Sequence, residues 1–162
     1  MIILPTMRGV LAGGLTPLFA AGPSGSLRWD WGGQVGCKIV IGSKDVYVYQ
    51  LGRWVNSGNY QVHTISLWSA AGALLASASV ATSGVPVGYA YSPISAVKLT
   101  AGATCYISSL ENAGYDQYHD NAAYTPNGAF ASIASGYAAS GYPIGGGAAG
   151  YSYVPCNLLF KF

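Results

Sequence analysis

From residue 34 onward the apolar side chains recur at every second position, in short runs separated by turn-forming residues, and no long stretch carries a 3.6-residue period with helix caps. That pattern restricts the chain to strands with one greasy face. Residues 34–41 place Val35, Cys37, Ile39 and Ile41 on one side, and Gly42-Ser43-Lys44-Asp45 turns the chain. Residues 46–54 are rich in β-formers, with a slip in the alternation near 50–52 that predicts a bulge. After a turn at 56–59, residues 61–68 align His63, Ile65 and Leu67, and Ala70-Ala71-Gly72 leads into a strand over 73–80. Short strands are predicted at 89–91, after a Gly/Pro-marked loop at 83–88, and at 97–99, and a longer one at 103–110 aligns Cys105, Ile107 and Ser109. At the end, Cys156, Leu158, Phe160 and Phe162 alternate.

About eight short antiparallel strands at this spacing predict an all-β, jelly-roll-like sandwich over 34–162. First and last strands are expected side by side, with Phe160 and Phe162 sealing the core. Residues 112–152 read differently. They are dense in Gly, Ala and Ser, repeat a Gly-Tyr pair, and belong to a stretch, Tyr115 to Tyr153, that holds seven of the thirteen tyrosines. A long loop region of this kind is expected to make contacts. Residues 1–33 read as an extended arm. Met1 to Ala21 is apolar, but Arg8 is its only charge and sits late, and Pro5, Gly13, Gly14 and Pro17 interrupt any signal-like helix. No stretch approaches the ~20 clean apolar residues of a membrane span.

Charge narrows the function classes. Only 7% of residues are charged, where a soluble domain carries about 25%. So bare a surface suits secretion or an assembly whose neighbours cover apolar area. The net charge is +2 and the cations are scattered, so the clustered cations of a nucleic-acid binder are missing. Cys37, Cys105 and Cys156 all fall on inward positions. Buried free thiols are the preferred reading, a Cys37–Cys156 bridge the alternative.

Three of the five acids, Glu111, Asp116 and Asp120, lie close together. They admit a calcium site, though the spacing fits no EF-hand loop, or a glycosidase carboxylate pair. The favoured reading is structural: Glu111 continues an inward stripe, a buried carboxylate needs a partner, and Arg53 supplies one, with His63 and Asp116 in the same polar network. His119 lies in the loop and suits either role. No Gly-x-Ser-x-Gly elbow is present, and the formal G-x-G-x-x-G at 145–150 follows no apolar strand and opens no helix. No catalytic residue and no cofactor is therefore expected. Among the aromatics, Trp54, Trp68, Tyr115, Tyr118 and Tyr124 are the candidate binding residues, with Tyr137 and Tyr142 beside them, because flat rings stack on sugars and anchor interfaces.

Leu51-Gly52-Arg53-Trp54, Gly58-Asn59, His63, Leu67, Leu74-Leu75-Ala76-Ser77-Ala78, Leu99-Thr100-Ala101-Gly102, Tyr106, Ser109, Glu111, Gly114, Asp116-Gln117 and Tyr153-Val154-Pro155-Cys156-Asn157 occur in order. Together they resemble a family of roughly jelly-roll modules of unassigned function, appended to bacterial secreted, often glycan-active proteins. The resemblance spans 34–162. It implies a β-sandwich accessory domain and carbohydrate contact, and no catalytic residues. Tyr118 stands where that pattern has a tryptophan and Cys105 where it has an aromatic.

The resulting expectation is a non-enzymatic virion accessory protein, a capsid decoration or tail-associated subunit. Residues 1–33 would dock on other virion proteins and on copies of the chain, and the loops would touch host surface glycans. The alternative is a secreted carbohydrate-binding module. Neither nucleic acid nor membrane is expected as a partner.

Overall fold

The computed structural model describes residues 14–154 and 156–162. The chain is all-β, and among these residues no helix is long and apolar enough to cross a membrane. In order the strands are β1 (Thr16–Pro17), β2 (Leu27–Arg28), β3 (Gly33–Ile41), β4 (Val46–Val55), β5 (Val62–Ser69), β6 (Leu74–Ala81) and β7 (Gly88–Leu99). Then come β8 (Thr104–Glu111), β9 (Tyr118–His119), β10 (Ala122–Ala123), β11 (Phe130–Ala138), β12 (Gly145–Ala149), β13 (Tyr151–Ser152) and β14 (Cys156–Lys161). A four-stranded sheet, β1-β14-β4-β7, packs on a six-stranded one, β12-β11-β3-β8-β5-β6, and two ribbons, β2-β9 and β10-β13, complete the antiparallel set. This is the β-sandwich that the alternation predicts.

The core lies between the sheets and follows the inward stripes. Val35, Cys37, Ile39 and Ile41 of β3 and Cys105 and Ile107 of β8 face Val46, Val48 and Leu51 of β4 and Leu158 and Phe160 of β14. All three cysteines are free and buried. Burial pushes the Cys37 and Cys105 thiols up to about 12, out of the thiolate range.

The predicted bulge is real but sits one residue earlier, at Tyr49, where β4 shifts register against both β7 and β14. Its consequence is a change of phase. Val46 and Val48 point inward before it, and Leu51, Arg53 and Val55 point inward after it. A single extra residue thus aims a guanidinium into the core.

Four expectations are corrected. The stretches 89–91 and 97–99 are one strand, β7, because Pro93 sits on a sheet edge, where its missing N–H removes no ladder bond. The 112–152 region contains β11, a nine-residue central strand paired with both β3 and β12. Its Ala, Ser and Gly residues weaken the contrast between faces that alternation relies on. Strand β14 pairs with β1 and β4 rather than with β3, and Phe162, 67% exposed, lies outside the core that Phe160 seals.

The fourth concerns the arm. Residues 1–13 lie outside the described residues, and the rest of the arm is stitched into its own sandwich. Leu18 and Phe19 are buried, Leu18 N–H donates to the Leu158 carbonyl, and Phe19 stacks on Tyr124 at 4.4 Å. Asn157 grips the Phe19 backbone from both sides, accepting its N–H at 3.1 Å and donating to its carbonyl at 2.8 Å. Gly22 lies so close to the Trp54 indole that an added Cβ would collide with the ring.

Replacing Asn157 with alanine leaves a buried N–H and a buried carbonyl unpaired. The expected cost is about 3 kcal/mol in urea denaturation; a loss well below that would show that the arm holds without this clamp.

Candidate functional site

Two polar features stand out, and they are adjacent in the chain. The first is a buried quartet. The bulge places Arg53 inward on β4, β8 ends on Glu111, β5 contributes His63, and the loop after β8 contributes Asp116. Arg53 forms a fork with Glu111, its Nε and Nη2 donating to the two carboxylate oxygens at 2.9 Å each. The Ser109 hydroxyl donates to the same carboxylate at 2.6 Å. His63 Nε2 meets Asp116 Oδ2 at 3.0 Å, and Nδ1 faces the Leu110 carbonyl at 3.1 Å and Glu111 at 3.3 Å. Asp116 also accepts the Tyr60 and Gln61 N–H groups and the Thr82 hydroxyl.

Both nitrogens of His63 therefore look at acceptors, which is the environment of an imidazolium. Burial works against that charge, but Glu111 and Asp116 outweigh it and hold the His63 pKa above its ordinary value. For Glu111 burial would raise the pKa, yet the Arg53 and His63 charges win and lower it. For Asp116 burial is likewise overcome, by the Tyr60 N–H, the Thr82 hydroxyl and His63. Two cations face two carboxylates, each side chain at most 1% exposed where the ion pairs form. The favoured sequence reading of Arg53, His63, Glu111 and Asp116 as one network matches this geometry.

The quartet also pins the next stretch of chain. The Gln117 carbonyl accepts from Arg53 Nη2, Asn56 Nδ2 and Asn59 Nδ2, and the Gln117 N–H donates to Asn59 Oδ1. His119 Nε2 bonds Asn56 Oδ1 at 3.1 Å. Held in this way, residues 118–119 form β9 and pair with β2, setting Arg28 opposite Tyr118.

The second feature grows from that pairing. A cleft of about 270 Å³ is lined by Arg28, Trp31, Val35, Tyr118, Tyr137 and Tyr153. Its rings meet edge to face, Trp31 on Tyr137 at 5.6 Å and Tyr137 on Tyr153 at 5.9 Å. Tyr153 precedes Val154, a β-branched residue held at φ 34° with its N–H on the His119 carbonyl. Such a backbone is costly for a β-branched residue. Arg28 is shared with a second, shallower cleft that adds Trp29, Asp30 and Asp120.

The predicted aromatics do not form one platform. Trp54 packs edge-on against Tyr89, and Tyr124 stacks under the arm on Phe19. Trp68 is on the outer face of the six-stranded sheet, its indole N–H donating to Ser108, which donates in turn to Gln34. Tyr115 is exposed in the loop after β8, and Tyr142 lies on Tyr106 beyond the sheet. Of the five candidates only Tyr118 lines the cleft, joined there by Tyr137. The calcium trio is not assembled either: Glu111 and Asp116 are engaged in the quartet, while Asp120 turns to Arg28. Among the described residues no three acidic, histidine or cysteine side chains converge on a cation position. Sequence reasoning missed Arg28, Trp31 and Tyr153. The alternating Trp29-Asp30-Trp31 before β3 was the available signal.

No family model, no curated protein and no solved structure matches the chain.

Arg53→Met should cost about 3–5 kcal/mol by leaving the Glu111 charge buried and unpaired, and adding Glu111→Leu should recover most of it. Chemical denaturation of both variants checks this, and a single-variant loss below about 1 kcal/mol would contradict it. The quartet also makes stability depend on pH. His63, raised when folded, contributes fully below its unfolded value of about 6.5 and loses that contribution as pH climbs through its folded value. Glu111 and Asp116, lowered when folded, contribute above about 4 and lose it as pH falls. The melting temperature should peak between these limits, and His63→Gln should abolish the decline on the alkaline side.

Proposed function

We propose that the chain is a non-catalytic contact module: a virion accessory subunit of the capsid-decoration or tail-associated kind. The observation that carries this reading is how the ionisable groups are used. The carboxylates and histidine best placed for acid–base chemistry are consumed in a sealed, mutually neutralising quartet rather than aimed into a cavity. What the surface offers instead is apolar. Trp29, Val62, Val87 and Ile144 are each at least half exposed, on a chain with only 7% charged residues. A surface so poor in charge suits packing against neighbours in an assembly.

The docking role is assigned to the N-terminal arm, whose residues 1–13 lie outside the described residues and whose Leu18 and Phe19 are buried in the sandwich. A second reading, a secreted carbohydrate-binding module, is favoured by the aromatic cleft beside Arg28. The two readings share the same binding surface and differ in what carries it.

Deletion of residues 1–13 should abolish incorporation into particles, read by co-sedimentation of the chain with assembled virions, in a variant whose cooperative melting shows that it still folds. Undiminished incorporation would overturn the docking role, and a monomer that binds polysaccharide in affinity electrophoresis without entering particles would favour the second reading.

A further inference from the structure

Two polar groups in the cleft wall have no partner. The Tyr118 hydroxyl and the Trp31 indole N–H are closed to solvent and bond nothing among the described residues. Tyr118 itself is 2% exposed. Native structures leave few such donors unmet, because each costs about 1–3 kcal/mol. Of the five such groups among the described residues, two belong to residues that line this one cleft.

The rest of the surroundings define what would meet them. The walls are ring faces and edges: Trp31, Tyr137 and Tyr153. At the mouth, Arg28 is bracketed by Asp30 and Asp120, and the next cleft, about 400 Å³, continues past them to the half-exposed Trp29. One cation against two carboxylates gives no net attraction for an anion, which argues against phosphates, nucleotides and acidic sugars. The two carboxylates accept hydroxyl protons, the guanidinium and the two orphaned donors give to oxygens, and the rings cover apolar C–H faces. A ligand needing all three at once has several hydroxyls on a flat, partly apolar ring.

We propose that this double cleft binds a neutral oligosaccharide, one pyranose against Trp31, Tyr137 and Tyr153 and the next toward Trp29. The inner space is slightly below the ~300 Å³ at which ligand pockets usually begin, so it takes one ring rather than several. Reaching the two donors requires the wall to open slightly, a side-chain adjustment ordinary at binding surfaces. The proposal deepens the contact-module reading and rests on it. An extended peptide is the competing occupant, but strand addition needs an edge several residues long, and the β2-β9 ribbon pairs only two residues on each strand.

The test uses the full chain and a panel of methyl glycosides of glucose, galactose, mannose and N-acetylglucosamine. The matching neutral trisaccharides, sialyllactose and a proline-rich peptide complete it, each titrated by saturation-transfer NMR and tryptophan fluorescence. Saturable binding to at least one neutral sugar is expected, tighter for its trisaccharide and not improved by sialic acid. Trp31→Ala should weaken it about tenfold. Trp29→Ala should weaken the trisaccharide and leave the monosaccharide unaffected. Tyr118→Phe separates a binding role from a structural one: it should weaken binding while leaving the unfolding midpoint unchanged or raised, because the hydroxyl has no internal partner to lose. Sugar binding indifferent to all three variants, a Tyr118→Phe variant that is destabilised and binds normally, or saturation by the peptide alone would each overturn the site. Absence of any sugar binding at tens of millimolar, with particle incorporation intact, would sink the sugar proposal while leaving the docking role standing.

Discussion

The sandwich is organised around a buried charge balance. Arg53, His63, Glu111 and Asp116 come from three strands and a loop, and none can be left in the core without the others. Desolvating four charges is expensive, and a hydrophobic quartet of the same volume could be as stable. What the charges contribute is selectivity among arrangements. A one-residue slip of β4 would turn Arg53 outward and strand Glu111, and a strand pairing that removed His63 would strand Asp116. Since β4 belongs to one sheet and β5 and β8 to the other, the quartet also fixes how the two sheets sit face to face. The bulge at Tyr49 is the device that makes this possible, because it changes the inward phase of β4 from Val48 to Leu51 and Arg53.

How far this was legible in the sequence depends on the contrast between neighbouring residues. Where large apolar and polar side chains alternate, as in β3, β5 and β8, strand limits and inward faces are read to within a residue. The slip that marks the bulge is visible for the same reason. The quartet is legible because Glu111 continues an inward stripe, and a buried carboxylate needs a cation such as Arg53. In β11 the contrast fades, since Ala131, Ser132, Ala134, Ser135 and Gly136 differ too little in size and polarity to declare a face. The residues between 91 and 97 carry no clear alternation, so β7 reads as two short strands although its edge position tolerates Pro93 within one. The cleft was the hardest to see because its wall is collected from residues 28–35, 118, 137 and 153. Only the folded pairings of β2 with β9 and β3 with β11 bring those segments together.

The quartet and the cleft are linked through a few backbone atoms. The loop leaving β8 would otherwise be free to move, as such loops are. Here Asp116 is anchored by four donors counting His63, and the next residue's carbonyl by three side chains. Tyr118 and Asp120 therefore leave a rigid origin, and Arg28 is brought to them by strand pairing rather than by its own flexibility. A binding surface built in this way loses little conformational entropy on meeting a ligand, which matters when the individual contacts are weak.

Weak contact is also what the rest of the molecule implies. A shallow cleft of one or two rings, with its cation already flanked by carboxylates, has no source of high affinity for a single ligand. Its usefulness then depends on how many copies are presented together, because linked sites convert each further binding event into an intramolecular one. A protein whose surface carries few charges and several exposed apolar side chains is suited to being held in an array. The chain has only twelve charged residues, and Arg53, Glu111 and Asp116 are spent inside, which thins the surface charge further. A bare exterior and a uniquely registered interior thus draw on the same small set of charged residues, and the Asp116–Gln117 anchor joins that interior to the cleft.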